Sequence, residues 1–516
     1  MISAYTGTDV RRAESPLLEA GRGDELMQRA AYGLYAATAA ALGDRRGRLY
    51  GASISVLAGS GNNGGDALYA AARLLQRGAS ATALLTGSAA HTGALEAFTA
   101  AGGRTVRLTA DNAADQAAAV QRADAVLDGV LGTGGHGGLR GPVRLLADTL
   151  NDARAHGRAP LVVACDLPSG VDADSGQAAG TCLHADLTVT FGAVKTGLLA
   201  GPGAVAAGAI QCIDIGLGPY LPEPVAFRLE ARDLAGLLPV PGPQDHKYSR
   251  GVLGIAAGSA TYPGAALMAT GAALATGVGM VRYLGPESVA RLINLAHPEA
   301  VCSTGTVGLT HVQAWLAGPG AGEDEEQRRR ASDAMSSGLP AVIDADAIGA
   351  VHPGLYAGVV LTPHAGELTA LLRSLGEEAE RAGIEADPVR YARRAAELTG
   401  ATVLLKGWAT VAAAPTGELY SQAEATPWLA TAGSGDTLSG ILGALLATDR
   451  TPAEQRKPGH YARLAAAAAS LHGRAGALAA VGGPVEPSRL EPGIRSLVAE
   501  LTATKERKIQ VSSHLG

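Results

Sequence analysis

The sequence predicts an α/β protein of two domains, each built on a mostly parallel sheet. Short apolar strands alternate with helical segments on both sides of a proline-rich stretch, and this alternation is typical of sheets covered by helices on both faces. The 516 residues are long for one domain and natural for two. Because ligands of such sheets bind at the carboxyl ends of the strands, polar segments at those ends are candidate sites.

Apolar periodicity places the elements of the first half. An alanine-rich helix is predicted over residues 26–42 and a second helix over residues 66–76. Short apolar runs predict buried strands at residues 53–58, 81–85, 125–127, 161–165 and 187–191.

The second half repeats the alternation after a proline-rich boundary at residues 217–243, where neither a helix nor a central strand can continue. Strands are predicted at residues 251–256, 341–344, 358–361 and 402–405, and an apolar helix at 437–447. We therefore assign one domain to residues 1–225, a second to residues 226–503, and a flexible polar tail to residues 504–516.

Composition excludes several classes of protein. The net charge of −6 gives no basic surface for nucleic acid, and no apolar run reaches the length of a membrane span. The four cysteines have neither the spacing of a zinc site nor that of a disulfide framework. We expect a cytoplasmic protein that binds neither nucleic acid nor membrane and forms a homo-oligomer.

Three polar segments follow strands of the first half: residues 59–66 (GSGNNGGD), 128–135 (DGVLGTGG) and 166–172 (DLPSGVD). A glycine-rich turn before a helix can present backbone N–H groups to phosphate, and Asn and Asp oxygens can hold a hard cation. Each segment alone is equally compatible with a helix cap, a surface loop or an Asx turn. Their common position at strand ends of one sheet favours a shared site.

The second half carries GSGD at residues 433–436, before the apolar helix. The N–H groups of such a turn suit a transferring phosphoryl group, and Asp436 can accept the proton of an attacking hydroxyl, although a plain helix cap is the alternative. His364, in TPHAGE at residues 362–367, is either structural or part of a site, and Asp344 and Asp346 are either site carboxylates or solvated turn residues.

The three first-half segments, followed by TFGAVK at residues 190–195, resemble the YjeF N-terminal family, the NAD(P)H-hydrate epimerases, over residues 1–220. The resemblance implies a Rossmann-like three-layer αβα sandwich and a potassium ion held by Asn63, Asp128 and Ser169. Asp166 and Lys195 are candidates for proton handling, with pairing to the substrate pyrophosphate as the alternative for Lys195. The implied substrate contacts are Asn62, Asn63, Gly64, Gly65, Asp66, Gly132, Thr133, Gly134, Gly135, His136, Gly137, Gly138 and Asp166.

The second-half motifs, which include HKYSRG at residues 246–251, resemble the ribokinase-like family and within it the ADP/ATP-dependent NAD(P)H-hydrate dehydratases, over residues 230–500. The resemblance implies a ribokinase-like αβα fold, Asp436 as the base, and ADP as co-substrate with magnesium. Implied nucleotide contacts are Lys406, Gly407, Trp408, Ala409, Thr410, Gly433, Ser434 and Gly435. Implied substrate contacts are Ala265, Gly320, His364 and Asp436.

Together the resemblances imply one substrate for both halves, NADH or NADPH hydrated on the nicotinamide ring. The first domain would interconvert its R and S epimers, and the second would dehydrate the S epimer with ADP, which gives AMP and phosphate. The alternative is a vitamin or sugar kinase with an N-terminal nucleotide-binding regulatory module. The joint presence of Asn63, Asp128, Asp166 and Ser169 favours an active first site.

Overall fold

The computed structural model describes residues 1–135, 137–457 and 459–513, with side chains described as far as residue 503. The chain divides into two compact units. One comprises Ser3–Val225, and the other comprises Met1–Ile2 and the chain from Ala226 onward. The division falls inside the proline-rich stretch, directly after Pro222 and Pro224 and before the strand Ala226–Arg228.

The N-terminal unit alternates strands and helices. Its strands are β1 (Ile2–Tyr5), β2 (Ser53–Ala58), β3 (Ser80–Leu85), β4 (Arg104–Arg107), β5 (Ala125–Gly129), β6 (Leu161–Cys165), β7 (Leu187–Phe191), β8 (Val194–Lys195) and β9 (Ala209–Ile213). Its helices are α1 (Gly7–Glu19), α2 (Gly23–Arg46), α3 (Asn62–Gln76), α4 (Thr92–Ala100), α5 (Ala113–Gln121), α6 (Gly141–Ala155) and α7 (Gly201–Ala206).

A parallel sheet in the order β4-β3-β2-β5-β6-β7-β9 forms the middle layer of this unit. Side chains alternate across it, because successive residues of a strand point to opposite faces. Ile54 and Val56 of β2 pack into a core with α2 and α3, whereas Leu57 packs into a second core with α5 and α6. The result is a Rossmann-like three-layer sandwich with the ends of β2, β5 and β6 at one edge.

The second unit repeats this organisation. Its strands are β10 (Ala226–Arg228), β11 (Val252–Ala256), β12 (Met280–Leu284), β13 (Val301–Ser303), β14 (Ala314–Ala317), β15 (Ala341–Ile343), β16 (Val359–Leu361), β17 (Thr402–Leu405), β18 (Thr410–Ala413) and β19 (Leu419–Gln422). Its helices are α8 (Ala231–Ala235), α9 (Pro263–Thr276), α10 (Glu287–Ala296), α11 (Glu325–Met335), α12 (Ala365–Ser374), α13 (Arg381–Ala386), α14 (Pro388–Thr399), α15 (Ser434–Thr448), α16 (His460–Ala479) and α17 (Glu491–Ser513).

Within this unit the strands follow the order β13-β12-β11-β14-β15-β16-β17-β18-β19-β10. The run from β13 to β17 is parallel, and the β17–β18 and β18–β19 pairs are antiparallel. All residues of β14, β15 and β16 are buried, as expected for strands covered on both faces. Helices α9, α15, α16 and α17 contribute to one large core with the strands.

The predicted α/β class with parallel sheets is confirmed, and β2, β6, β7 and β17 have the predicted bounds. Two helices begin earlier than predicted. The first turn of α3 starts at Asn62 and that of α15 at Ser434, so the residues predicted as loops belong to the helices. At the other end of the chain, α17 extends to Ser513 and assigns helix to residues 504–513, where the sequence predicts a flexible tail.

Close packing of α15 against α9 generates a stability prediction. A Cβ atom on Gly440 would lie 2.3 Å from the Ala269 carbonyl oxygen, which is backbone and cannot rotate away. We expect Gly440→Ala to lower the unfolding free energy of this unit by about 1–3 kcal/mol, the usual cost of overpacking. Gly349→Ala is the control, because a Cβ there meets open space.

Urea unfolding followed by tryptophan fluorescence measures this change, since Trp315, Trp408 and Trp428 all belong to the second unit. Equal urea midpoints for Gly440→Ala and Gly349→Ala would show that α15 and α9 can move apart without loss of unfolding free energy.

Candidate active sites

In the N-terminal unit, the first turn of α3 lies against the ends of β2 and β5. A Cβ atom on Gly59 would lie 2.1 Å from the Val130 carbonyl oxygen, and one on Gly64 would lie 2.2 Å from the Gly59 carbonyl oxygen. Only glycine permits this approach. Gly61 is the N-cap residue and makes no side-chain cap. The first N–H groups of α3 therefore remain available for an anion, and the helix-cap interpretation of the Asn and Asp residues is not supported.

The three residues predicted to hold potassium lie around the backbone of Leu131. Ser169 donates from Oγ to Asp128 Oδ1 at 2.6 Å and from its backbone N–H to Asp128 Oδ2 at 2.8 Å. Leu131 N–H donates to Ser169 Oγ at 2.9 Å, and Asn63 Nδ2 donates to the Leu131 carbonyl at 3.0 Å. Burial raises the pKa of Asp128 to about 6, against the effect of its hydrogen bonds from Ser169 and Val130.

Asp166 and Lys195 form a buried ion pair. Lys195 Nζ lies 2.5 Å from Asp166 Oδ1 and 3.0 Å from the Phe191 carbonyl oxygen, and only 2% of its surface is exposed. Thr133 Oγ1 donates to Asp166 Oδ2, and Thr190 Oγ1 donates to Asp166 Oδ1 at 3.0 Å. Burial would raise the pKa of Asp166, but the Lys195 ammonium and these hydrogen bonds outweigh it and lower the pKa. Asp166 also has a positive φ of 68°, a strained backbone conformation for a residue with a Cβ.

Two further carboxyl groups face this pair. Asp66 is buried on α3, and its Oδ1 makes no hydrogen bond to the part of the chain that the structure describes. Burial, followed by the charges of Asp166 and Glu14, raises the pKa of Asp66 well above its usual value. Glu14 on α1 has its pKa raised by burial, partly offset by Lys195. Glu14 is absent from the sequence prediction, since its helix precedes the motif segments.

The loop after β5 joins these groups. A Cβ atom on Gly132 would lie 3.0 Å from Asn63 Cγ, and Thr133 bonds to Asp166, so the loop lies between Asn63 and the Asp166–Lys195 ion pair. Gly135 N–H closes a turn on the Gly132 carbonyl at 2.7 Å. His136 lies outside the described residues. The structure therefore brings Asn63, Asp66, Asp128, Gly132, Thr133, Asp166, Ser169 and Lys195 together at one edge of the sheet.

In the second unit, the candidate site surrounds the first turn of α15. Gly433, with φ of 91°, is the N-cap residue and makes no side-chain cap. Asp436 follows within the first turn. Burial and the nearby carboxylates of Asp344 and Asp346 raise the pKa of Asp436 to about 7, while Lys406 lowers it. A carboxylate with a pKa near neutrality, beside a helix N-terminus without a side-chain cap, has the properties of a general base for a hydroxyl that attacks phosphate.

Lys406 connects Asp436 to the neighbouring strand ends. Its Nζ lies 2.8 Å from Asp344 Oδ1 and 3.8 Å from Glu367 Oε2. Burial would lower the pKa of Lys406, but Asp344 and Glu367 outweigh it and raise the pKa. Lys406 is therefore a cation at neutral pH.

The remaining predicted substrate residues occupy two places. His364 is the N-cap of α12. Its ring Nδ1 accepts from the Glu367 backbone N–H at 3.1 Å, and its backbone N–H donates to Glu367 Oε2 at 2.8 Å. This capping box gives His364 a structural role, and the exposed part of its ring can also contact a substrate. A Cβ atom on Gly320 would lie 2.8 Å from Ala265 Cβ, so these two residues are adjacent.

The predicted nucleotide residues form two segments. Lys406 to Ala409 make the turn between the antiparallel strands β17 and β18, and Trp408 at its tip is 48% exposed. Thr410 begins β18, and its Oγ1 donates to the Gly407 carbonyl. The other segment is the start of α15, where a Cβ atom on Gly433 would lie 2.6 Å from Met268. Met268 was not predicted, because its position on α9 gives it no motif.

His472 on α16 is another residue that sequence reasoning missed. Its Nε2 lies 3.2 Å from Ser434 Oγ, and burial lowers the pKa of His472 to about 4. The ring is therefore neutral at pH 7 and holds Ser434 in the first turn of α15. A lone histidine in an alanine-rich helix carries no sequence signal for this contact.

In the part of the chain that the structure describes, no three His, Cys, Asp or Glu residues form a group able to hold a metal ion. The four cysteines are unpaired. No described helix combines the length and the apolar character that crossing a membrane requires.

The fold and sites define a two-domain α/β enzyme with one strand-end site in each unit. The model of the YjeF-related protein N-terminus matches residues 23–197, and the NAD(P)H-hydrate dehydratase model matches residues 253–489. The bifunctional NAD(P)H-hydrate repair enzyme Nnr of Mycobacterium tuberculosis is 43% identical over 453 residues, which cover 86% of this chain and 89% of that protein.

The enzyme of the same name from Mycobacterium leprae is 41% identical over 511 residues, which cover 96% of this chain and 99% of that protein. The one from Escherichia coli is 34% identical, and the match covers 86% of this chain and 84% of that protein. The chain belongs to the family of bifunctional NAD(P)H-hydrate repair enzymes, and the resemblance inferred from its motifs is confirmed. Among solved structures, the ADP/ATP-dependent NAD(P)H-hydrate dehydratase of Bacillus subtilis has a TM-score of 0.47 and 24% identity, covering 53% of this chain and 97% of that one.

The buried neutral state of His472 generates a prediction for acid stability. The unfolded chain takes up a proton at this residue near pH 6.5, whereas the folded chain does so only near pH 4. The contribution of His472 to stability is therefore complete above pH 6.5 and is lost between pH 6.5 and 4, by roughly 3 kcal/mol.

We expect His472→Gln to remove this part of the pH dependence. Urea unfolding at several pH values, followed by tryptophan fluorescence, compares the two slopes. Identical slopes in wild type and variant would show that the ring is protonated in the folded protein.

Proposed function

We propose that the N-terminal unit interconverts the R and S epimers of hydrated NADH and NADPH, and that the second unit dehydrates the S epimer with ADP. The observation that carries this proposal is the pair of strand-end sites. Each has a helix N-terminus without a side-chain cap and, beside it, a buried aspartate bonded to a lysine. Such a helix N-terminus suits a phosphate group, and the substrate and ADP both carry phosphates.

In the dehydratase site, we assign Asp436 as the base that removes the proton of the hydroxyl on carbon 6. The hydroxyl oxygen then attacks the β-phosphorus of ADP, and AMP leaves. Phosphate departs from carbon 6 with the bonding electrons, and loss of the carbon 5 proton restores the dihydropyridine. The first-turn N–H groups at Gly433 to Gly435 face the charge that develops on the phosphoryl oxygens.

The other residues of this site bind and orient. We assign the nucleotide to the segment from Lys406 to Thr410 and to the start of α15. The adjacent Ala265 and Gly320 and the exposed ring of His364 are assigned to the hydrate. Magnesium would be held chiefly by phosphate oxygens and water, which is how this ion binds in many phosphoryl-transfer sites.

In the epimerase site, we assign Asn62 to Asp66, the loop at residues 132–138 and Asp166 to the substrate. Asp166 and Lys195 remain the proposed pair for proton handling. Hydrogen bonds to Thr190 and the Phe191 carbonyl oxygen hold the pair in position, so its geometry is set before the substrate binds.

A potassium ion fits the residues around Leu131. Asp128 is fully buried, and its hydrogen-bond donors, Ser169 and the Val130 amide, are neutral, so one negative charge there is uncompensated. Asn63, Ser169 and the Leu131 carbonyl add neutral oxygens. One carboxylate with neutral oxygens suits a large monovalent cation better than magnesium. Bound there, potassium would supply positive charge beside an anionic substrate.

The proposed function is tested by incubation of mixed hydrates of NADH with ADP and magnesium. We expect recovery of the reduced nicotinamide absorbance at about 340 nm from both epimers, with release of AMP and inorganic phosphate. A stable phosphorylated product without recovery of absorbance would instead indicate a kinase with a regulatory N-terminal module.

The assignment of the two sites predicts separable losses. Asp436→Asn should lower the rate of dehydration by about 10²–10⁴-fold and leave epimerisation unchanged, because only a carboxylate can accept the hydroxyl proton. Lys195→Met is the reciprocal control, and it should impair epimerisation alone. Chromatographic separation of the epimers measures one reaction and absorbance the other. Dehydration at the wild-type rate by Asp436→Asn would refute the base assignment.

The pKa of Asp436 predicts the acid side of the rate profile. The base must be ionised, so kcat/KM for dehydration of the S epimer should be constant above about pH 7 and should fall tenfold per unit below it. Initial rates across that range test this expectation. A profile that stays flat down to pH 5 would exclude Asp436 as the titrating base.

Potassium binding predicts a change in stability that does not depend on activity. Calorimetric unfolding in potassium chloride should show a higher midpoint for the N-terminal unit than in tetramethylammonium chloride of equal concentration, since an ion that binds the folded state stabilises it. Asp128→Asn should abolish this difference. Asp186→Asn, which removes a carboxylate bonded to Arg154 elsewhere in the unit, should retain it. An identical response of both variants would place the ion elsewhere.

A further inference from the structure

Asp344 is a junction of three elements in the second unit. It directly follows β15, is 1% exposed, and uses both carboxylate oxygens. Oδ1 accepts from Lys406 Nζ at 2.8 Å and from the Ala345 N–H at 2.9 Å, and Oδ2 accepts from Ser439 Oγ at 2.6 Å. The carboxylate therefore ties the end of β15 to the turn after β17 and to helix α15.

The backbone at this junction is strained, and the strained conformation adds a hydrogen bond to the Asp344 carboxylate. Ala345 has a φ of 49°, a left-handed conformation that residues with a Cβ rarely adopt. In that conformation its N–H donates to Asp344 Oδ1. Strain of this kind persists where the surrounding structure fixes it, and it is concentrated at functional sites.

Ser439 connects the junction to the proposed base. It is fully buried on α15, three residues after Asp436, so both side chains lie on the same face of the helix. Its hydroxyl donates to Asp344 and fixes the separation between the helix and the strand end.

Lys406 is held from two directions. Its N–H donates to the Pro363 carbonyl at 2.8 Å, which anchors the backbone, and its Nζ contacts Asp344 and, more distantly, Glu367. A Cβ atom on Gly435 would lie 3.5 Å from Nζ. The ammonium group therefore stands beside the turn whose N–H groups face the phosphoryl group under the proposed function.

We propose that Asp344 and Ser439 are positioning residues of the dehydratase site, which hold the Lys406 ammonium against the transferring phosphoryl group and beside Asp436. The inference rests on the proposed function of this site. Lys406 gains a role beyond nucleotide contact: its positive charge opposes the negative charge that develops on the phosphoryl oxygens. Ser439 acts only through Asp344.

The charges that face Asp436 make the proposal distinguishable from a structural role. Asp344 and Asp346 come from the segment after β15 and Lys406 from the turn after β17, and these three act directly on Asp436. Glu367 of α12 contacts Lys406 Nζ at 3.8 Å, and the neutral His472 of α16 contacts Ser434. Asp344 and Asp346 raise the pKa of Asp436, and Lys406 lowers it. Removal of Lys406 and removal of the Asp344 charge should therefore move the acid limb of the rate profile in opposite directions.

The test uses the full chain with the S hydrate, ADP and magnesium. Ser439→Ala, a nearly isosteric change, should lower kcat about tenfold with an unchanged KM for ADP, because a hydrogen bond to a buried charge is lost. Lys406→Met should lower kcat further and move the acid limb upward by about one pH unit on the residual rate. Asp344→Asn should move that limb downward.

Thr448→Val is the matched control, since it removes a hydroxyl from the far end of the same helix, where Thr448 Oγ1 bonds to the Ala444 carbonyl. It should keep the wild-type kcat and profile. A wild-type kcat for Ser439→Ala, or an acid limb unmoved by Lys406→Met, would overturn the proposal, and both variants are informative even if Asp344→Asn fails to fold. A wild-type chain that restores no absorbance would instead refute the proposed function.

Discussion

A lysine bonded to a buried strand-end aspartate is the interaction on which each site depends. Lys195 pairs with Asp166 in the N-terminal unit, and Lys406 pairs with Asp344 in the second. Removal of one partner of such a pair leaves an uncompensated charge in a low-dielectric interior, which is strongly destabilising. The charges of each pair therefore shift the pKa values of the other carboxyl groups in the same site.

The two units apply this interaction differently. In the N-terminal unit the lysine and several hydrogen bonds lower the pKa of Asp166, whereas burial and the charge of Asp166 raise the pKa of its neighbours Asp66 and Glu14. In the second unit Lys406 is shared among carboxylates and offsets the burial of Asp436 only in part. One site thus has a fixed charge pair, and the other has an aspartate whose pKa is raised to about 7.

The sequence predicted what short segments determine. Strands such as β2 and β17 are continuous apolar runs between turns, and the glycine motifs mark the strand ends, so the fold class and the residues of each motif could be inferred together. Contacts between distant segments could not be inferred. Ser439, His472 and Glu14 lie on helices whose apolar spacing predicts which face is buried. That spacing does not predict which residue each side chain contacts. The starts of α3 and α15 were also placed late, because glycine is a poor helix former and only tertiary packing makes those turns helical.

The uncapped helix starts have a consequence for how occupancy can be observed. At the N-termini of α3 and α15, the first amides lack partners within the helix, and no side chain of the N-cap residue covers them. Such amides exchange their hydrogens with deuterated solvent readily, and exchange slows where a bound phosphate accepts from them. Residues 62–64 and 435–436 are therefore separate local reporters, through which deuterium uptake would follow the filling of each pocket in the same intact chain.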